Sequence, residues 1–302
     1  MNGGLPNLTV HQLLYVREAA AAPTLAVAAE RLGVSQPALS QGIAEVERRL
    51  GVSLFDRRSR VRTPTRELAV VVTIAKQVLA AIEDLDRYLA ETAFGSRGCV
   101  RVGMIDTAAL GSFAIPLAAF RQSHPGVQTT LLVGGSLRLT EQVADGDLDL
   151  AIVVTPNSAL EHSRGRFAVE AVAQDPLMIY ARVGTKPRAK LADIGPWVSY
   201  PVGSETRMLI GRSLSAREVA MEVTAESNNP DVLRQMVRLG VGSCVLPRSV
   251  GESGTEPLIP FEKVPLTFRT LSLVRLHDAL PNAAADILGA LLVAAGRPTG
   301  AG

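Results

Sequence analysis

One short interruption constrains the start of this chain more than any other feature. Between Leu25 and Leu50 the apolar residues recur at spacings of three and four, and the run breaks once, at Gly33-Val34-Ser35. That period is helical. Gly33 supplies the positive φ that ends a helix, Ser35 can cap the next one, and Pro37 is tolerated in a first turn, where its missing N–H would have no partner. Upstream, Leu13, Leu14, Val16 and Ala20 form another helical stripe, closed by Pro23 and followed by Thr24 as a cap. Three short helices are therefore predicted over residues 9–50. The last two are joined by a tight glycine turn, as in a helix-turn-helix. Leu39, Ile43, Val46 and Leu50 turn inward on the third helix, and Gln36, Ser40 and Gln41 stay on its outer face, beside Ser35 and Pro37. Such groups read base edges when a helix N-terminus enters a major groove. A plain three-helix bundle with a solvated polar face accounts for the same pattern.

The next segment separates the two readings. Arg57, Arg58, Arg60, Arg62 and Arg66 fall within ten residues that hold no acid, among Ser59, Val61, Thr63 and Pro64. A small hairpin or wing is predicted there. Clustered arginine on a ribbon suits phosphate contacts and minor-groove insertion, with Arg57, Arg58 and Arg62 the expected contacts. The whole chain, at a net charge of +2 and a pI near 8.7, would not announce a nucleic-acid partner; only the distribution of charge does.

The stretch AAERLGVSQPALSQGIAEVERRLGVSLFDRRSRVRTPT, residues 28–65, resembles the DNA-binding segment of LysR-type transcriptional regulators. The AAxxL helix end, SQPALS, the E-x-x-LG-x-x-LF-x-R block and a basic wing leading to Thr-Pro occur in the family's order and spacing. Gln41 and Gly42 stand where the family usually has Arg and Gln, TPTREL replaces the usual junction, and the wing is one residue short. Gly42 inside a helix should cost about 1 kcal/mol relative to Ala.

Residues 66–91 predict one long helix. Leu68, Val71, Ala75, Val78, Ile82, Leu85 and Leu89 form an a/d seam, as expected of a dimerising linker, with packing on its own domain as the alternative. Gly95, Ser96 and Gly98 predict a hinge. From residue 100 strands and helices alternate, which means an α/β domain. Strands are predicted at 100–104, 127–133, 148–154, 166–173, 177–181, 197–200, 219–224, 243–246 and 267–274. Helices are predicted at 110–123, 136–144, 204–214, 230–239 and 283–295. HPGV (124–127), ADGDLDLAIV (144–153) and VRLGVGSCVLP (237–247) resemble the LysR-type effector domain, so the resemblance covers nearly the whole chain. It implies an all-α winged helix-turn-helix at 1–66, a linker helix at 67–94 and a two-lobed, periplasmic-binding-protein-like α/β effector domain at 95–302. Lobe one would lie near 100–173 and 267–295, and lobe two near 174–266.

In open α/β sheets ligands bind outside the carboxyl ends of strands, where helix N-termini offer unpaired N–H groups and positive dipole ends. Such turns here carry Asp106-Thr107, Gly135-Ser136, Gly203-Ser204 and Ser227-Asn228-Asn229. Each residue type is also an ordinary cap or turn former, so the grouping carries the expectation. By the resemblance, Thr107 and Ser136 line an effector pocket, with Tyr200, Pro201 and Ser204 on its facing wall. Thr155 and Asn228 join them as residues just past strand ends. Arg138 and Arg207 are candidate carboxylate partners, and Asp106 a partner for an amine or a hydroxyl.

The cysteines Cys99 and Cys244 and the four histidines are scattered without ligand spacing, so neither metal nor cofactor is expected. No GxSxG, phosphate loop or GxGxxG after a strand occurs, and His124 before Pro125 reads as a helix-end residue, so no catalytic residue is assigned. The first residues lack a basic stretch followed by an apolar run, and no apolar stretch is long enough to span a bilayer. A cytoplasmic protein with reduced thiols and no membrane partner is expected. This weighs against a transporter's solute-binding protein, and the missing catalytic constellation weighs against an enzyme fused to a DNA-binding head. The expected function is a sequence-specific LysR-type regulator that binds double-stranded DNA as a homodimer or homotetramer (a dimer of dimers). A small-molecule effector, a small polar metabolite and above all a carboxylate, would control it from between the lobes.

Overall fold

The structure, a computed structural model, describes residues 7–56, 63–94, 98–156, 160, 165–186 and 189–296. The chain divides into two compact units, Met1–Leu89 and Ala90–Gly302.

In the first unit Thr9 opens α1 (Val10–Ala21) with a capping box, its side chain accepting from Gln12 N while Gln12 Oε1 accepts from Thr9 N. Thr24 caps α2 (Leu25–Leu32), and Gly33, at φ 66°, ends it in the left-handed region. Ser35 caps α3 (Gln36–Leu50) by accepting from Ala38 N at 3.3 Å, with Pro37 in the first turn. Leu39 and Ile43 pack with Ala19, Ala28 and Ala29, and Val46 packs with Val16, Leu54 and Leu68. Gly42 has a tertiary reason: a Cβ there would fall 2.4 Å from Tyr15 Cδ2, so α1 meets α3 over a position that only glycine leaves open. Glu47 is buried and accepts from Leu54 N at 2.8 Å, which holds the segment after α3 against the helix. β1 (Phe55–Asp56) and β2 (Thr63–Pro64) pair antiparallel as the base of the wing. Arg57, Arg58, Arg60 and Arg62 lie outside the described residues.

The long helix is α4 (Arg66–Phe94). Its expected seam divides, Leu68 and Ala75 going to the core and Val78, Ile82 and Leu85 staying exposed. Leu68, Ala75 and Leu79 are buried against Leu13, Val16, Val46 and Leu54 of their own unit, whereas Val70, Ile74, Val78, Ile82 and Leu85 are exposed. A heptad pattern records which positions are apolar, not whether a domain or a second chain covers them.

The second unit is built on a six-stranded sheet ordered β4-β3-β5-β10-β6-β9. β3 (Cys99–Met104) runs parallel to β4 (Gln128–Val133) and to β5 (Leu150–Thr155). β10 (Thr267–Leu276) runs antiparallel to β5 and to β6 (Phe167–Tyr180), which pairs in turn with β9 (Cys244–Pro247). The two strands expected at 166–173 and 177–181 are thus one. Pro176 lies within it, opposite Phe268 of β10 and one residue before the pairing with β9 begins at Leu177. β7 (Trp197–Ser199) and β8 (Val223–Glu226) pair in parallel and reach β9 through a bridge between Trp197 and Ser243. The remaining helices are α5 (Asp106–Leu110), α6 (Ala114–Ser123), α7 (Ser136–Ala144), α8 (Glu205–Ser215), α9 (Pro230–Arg238), α10 (Arg248–Gly251) and α11 (Ala283–Gly296).

Two hydrophobic cores result. One gathers Met104, Phe120, Leu139, Ile152 and Leu288; the other gathers Trp197, Ile210, Leu233 and Leu246. β6 passes from Val172 in the first core to Leu177 in the second, and the chain returns from Leu266 in the second to Leu271 in the first. Two crossing strands therefore join two lobes. The last acid of ADGDLDL has a structural use: Asp149 accepts from Arg101 N at 2.6 Å and from Arg101 Nη2 at 2.9 Å, tying the starts of β5 and β3. Among the described residues no helix is long and apolar enough to cross a membrane.

Candidate functional site

Gln36, Pro37, Ser40 and Gln41 are all exposed on the first half of α3. Gln36 and Ser40 stand one turn apart, as do Pro37 and Gln41, so the four form one continuous patch. Ser35 is exposed too, but its hydroxyl is engaged as the cap. Charge is confined to the far end of the helix. There Glu45 accepts from Arg48 Nη2 at 2.6 Å and Arg49 Nε at 2.5 Å, which holds its carboxyl down at about 2. The leading turns thus present neutral amides and a hydroxyl, groups that can both donate and accept at a base edge.

In the second unit a cavity of about 590 Å³ opens between the two lobes. Its first wall comes from the starts of α5 and α7, with Asp106, Thr107, Gly135, Ser136 and Arg138. Its second comes from the turn between β7 and α8, with Tyr200, Pro201, Ser204, Glu205 and Thr206, and from Asn228 before α9. The structure therefore brings Thr107, Ser136, Tyr200, Pro201, Ser204 and Asn228 to one cavity. Thr155 is a correction. Strand β5 runs one residue further than expected, and the Thr155 hydroxyl lies 2.7 Å from Ser272 Oγ in the ladder with β10, away from the cavity lining.

Several of these side chains hold the fold as well. Ser136 is not a cap but the first residue of α7; it is buried, and its Oγ accepts from Val154 N at 3.0 Å. Ser204 does cap α8, accepting from Arg207 N at 3.5 Å. Arg207 is turned to other work: it donates to Tyr200 O at 2.6 Å and to Glu226 Oε1 at 3.1 Å, and does not line the cavity. Arg138 lines the cavity and is exposed. His124 is the C-cap of α6, its ring stacked on Phe120 at 4.6 Å. Cys244 is buried in β9, and burial pushes its thiol up, away from the reactive thiolate.

The sequence reading missed Arg269. This β10 residue is 3% exposed. Its Nη2 donates to Thr107 Oγ1 at 2.7 Å, its Nη1 to Thr206 Oγ1 at 3.2 Å, and its Nε and Nη2 to Asp175 Oδ2 at 2.9 and 2.7 Å. One guanidinium thus joins α5 of one lobe, α8 of the other and the crossing strand β6. A buried guanidinium persists only when paired in this way. A signal was present: Arg269 shares the two-residue strand period of Leu271 and Leu273, both buried.

Tyr200 and Glu205 were also under-read. Both are buried at the cavity, and neither Tyr200 Oη nor Glu205 Oε1 has a hydrogen-bond partner among the described residues. Burial pushes the Tyr200 hydroxyl and the Glu205 carboxyl up from their ordinary pKa values. The first turns of α7 and α8 add backbone N–H groups and positive dipole ends at opposite walls.

Residues 10–67 match the family model for the bacterial regulatory helix-turn-helix protein of the lysR family, and residues 95–296 match that for the LysR substrate binding domain. Among curated relatives, a probable RuBisCO transcriptional regulator of Trieres chinensis is 26% identical over 298 residues, 92% of this chain and 94% of the relative. Among solved structures, CbnR, a LysR family transcriptional regulator, is similar with a TM-score of 0.69 at 19% identity, covering 96% of this chain and 100% of that one. Full-length CbnR in complex with its target DNA gives a TM-score of 0.66 at 19% identity, over 95% of this chain and 100% of that one.

Proposed function

Because the chain belongs to the LysR family of DNA-binding transcriptional regulators, which are not enzymes and carry an effector-binding domain, we propose that a small polar carboxylate held between its two lobes sets its affinity for a specific operator. The observation that carries this reading is the convergence of α7 and α8, one from each lobe, with their N-termini on one cavity of about 590 Å³. That volume falls in the usual range of small-molecule sites, about 300–1,000 Å³. Free N–H groups and positive helix ends on both walls favour an anion that touches both. The proposed contacts are the N–H groups after Gly135 and Ser204, with Thr107, Ser136, Tyr200, Pro201, Ser204 and Asn228 shaping the site. On DNA, Gln36, Ser40 and Gln41, led by Ser35 and Pro37, would enter the major groove, with Arg57, Arg58 and Arg62 on phosphates or in the minor groove. The protein would work in the cytoplasm as a homodimer or a dimer of dimers.

The test begins with a thermal-shift screen of small acids, since a ligand at 100 times its Kd stabilises by about 2.7 kcal/mol. Calorimetry then compares wild type with Leu137→Glu. Leu137 is exposed at the cavity in the first turn of α7, so the new carboxylate occupies the anion's field without opening a core. Affinity for the acid should fall at least about tenfold, close to the 1.4 kcal/mol of one charge-assisted contact. Equal affinities would place the anion elsewhere and end this reading.

A further inference from the structure

The second wall of the cleft carries two polar atoms that the protein leaves unsatisfied. Tyr200 Oη and Glu205 Oε1 have no hydrogen-bond partner among the described residues, in side chains 6% and 7% exposed, and both residues line the cavity at the start of α8. Buried polar groups without partners are costly, and folded proteins keep few of them. Two such atoms in residues of one cavity wall mark where a ligand's polar group belongs.

We propose that Tyr200 and Glu205 form a subsite for a hydroxyl group, so that the effector is a hydroxy acid rather than a plain carboxylate. This rests on the reading of the cleft as a carboxylate site. A phenol offers one O–H donor with acceptor lone pairs and a carboxyl oxygen accepts, and an alcohol, with one donor and two lone pairs, can complete both. Burial raises the Glu205 carboxyl from its ordinary value. An ammonium group fits less well. It accepts nothing, and it would sit against the positive end of α8 and near the Arg269 guanidinium, whose charge acts on the Tyr200 hydroxyl. Of the acids that also act there, Asp106 and Asp175, the second is paired with Arg269 at 2.7 Å. The two walls then divide the ligand: the first turn of α7 and Arg138 take the carboxylate, and the start of α8 takes the hydroxyl.

Calorimetry of the full chain with two matched sets of acids tests this: succinate, malate and aspartate, then propionate, lactate and alanine. Within a set that binds, the hydroxy acid should be about tenfold tighter than its plain and amino counterparts, the discrimination of a well-made hydrogen-bonding site. Tyr200→Phe and Glu205→Leu should bring that ratio to about one. Tyr200→Phe keeps the ring in the core, so it remains informative if Glu205→Leu does not fold. Glu205→Gln, which retains a donor and an acceptor without charge, should preserve the ratio. Tightest binding of the amino acid, lost in Glu205→Gln, would overturn the hydroxyl in favour of an ammonium site. Equal binding of plain and hydroxy acids, both weakened by Leu137→Glu, would overturn this inference and leave the carboxylate reading standing. Binding of none of the six would overturn both.

Discussion

At Gly42 the usual rule for helix interiors reverses. Replacing an interior glycine by alanine ordinarily stabilises a helix by about 1 kcal/mol. Here the added methyl meets the Tyr15 ring, with 2.4 Å between the built Cβ and Cδ2. Gly42→Ala should therefore destabilise the first unit by about 1–3 kcal/mol, the usual cost of overpacking, in urea unfolding. The same change made in a Tyr15→Ala background should stabilise relative to that background. Glu205 sets a second expectation at this scale. Its carboxyl is raised by burial in the fold, so the folded state holds the proton more tightly than the unfolded state does. Ionising it costs stability. That cost is absent below the unfolded value of about 4.3, grows as pH rises through it, and is complete above the folded value. Glu205→Gln should thus raise Tm at neutral pH, with the two melting curves converging toward pH 4. A gap that does not change with pH would mean that the carboxyl ionises normally.

Among the elements, α4 serves two surfaces at once. Its inner stripe of Leu68, Ala75 and Leu79 completes the core around Leu13, Val16 and Leu54, and its outer stripe of Val70, Ile74, Val78, Ile82 and Leu85 is exposed among the described residues. An exposed apolar stripe of this length on one helix is the kind of surface a second copy would bury. Ile74→Asp should then lower the sedimenting mass with little change in the monomer's helicity. Ala75→Asp should instead lower Tm, because an unpaired carboxylate would enter the core. Equal masses for wild type and Ile74→Asp would remove the outer stripe from the interface. On α3 the division of labour is lengthwise: the capped, neutral leading turns are left for recognition, and the Glu45–Arg48–Arg49 cluster stabilises the trailing end.

For the whole molecule, the decisive property is that the cleft lies between two cores joined, among the described residues, by two crossing strands, with Arg269 bonded to α5 on one side and α8 on the other. A ligand that fits one arrangement of the lobes better than another shifts their balance; one that fits both alike shifts nothing. The proposed regulation through this cleft carries a quantitative demand. If the effector changes operator affinity by some factor, the operator must change effector affinity by the same factor, about 5–150-fold for ordinary couplings. Calorimetric titration of the effector with and without saturating operator DNA measures one side, and operator titration with and without effector measures the other. Factors of one in both titrations would mean that the cleft and the operator site are not coupled.

What the sequence determined by itself is what short-range geometry dictates. The three- and four-residue spacing, the caps Thr24 and Ser35, and the left-handed Gly33 placed α1 to α3, and the alternation from residue 100 onward placed most strands and helices of the effector domain. Motif resemblance then pointed to the turns that border the cleft, because turns at strand ends are local features as well. Tertiary structure decided the rest, each time through a partner far away in the chain. Thr107 meets Arg269 across 162 residues, and Thr155 is drawn into the ladder by Ser272. Gly42 is required by Tyr15, and half of the α4 seam is claimed by its own unit. Backbone periodicity says which side of an element is apolar or polar. Which neighbour covers that side depends on how separate elements pack, and no local spacing encodes it.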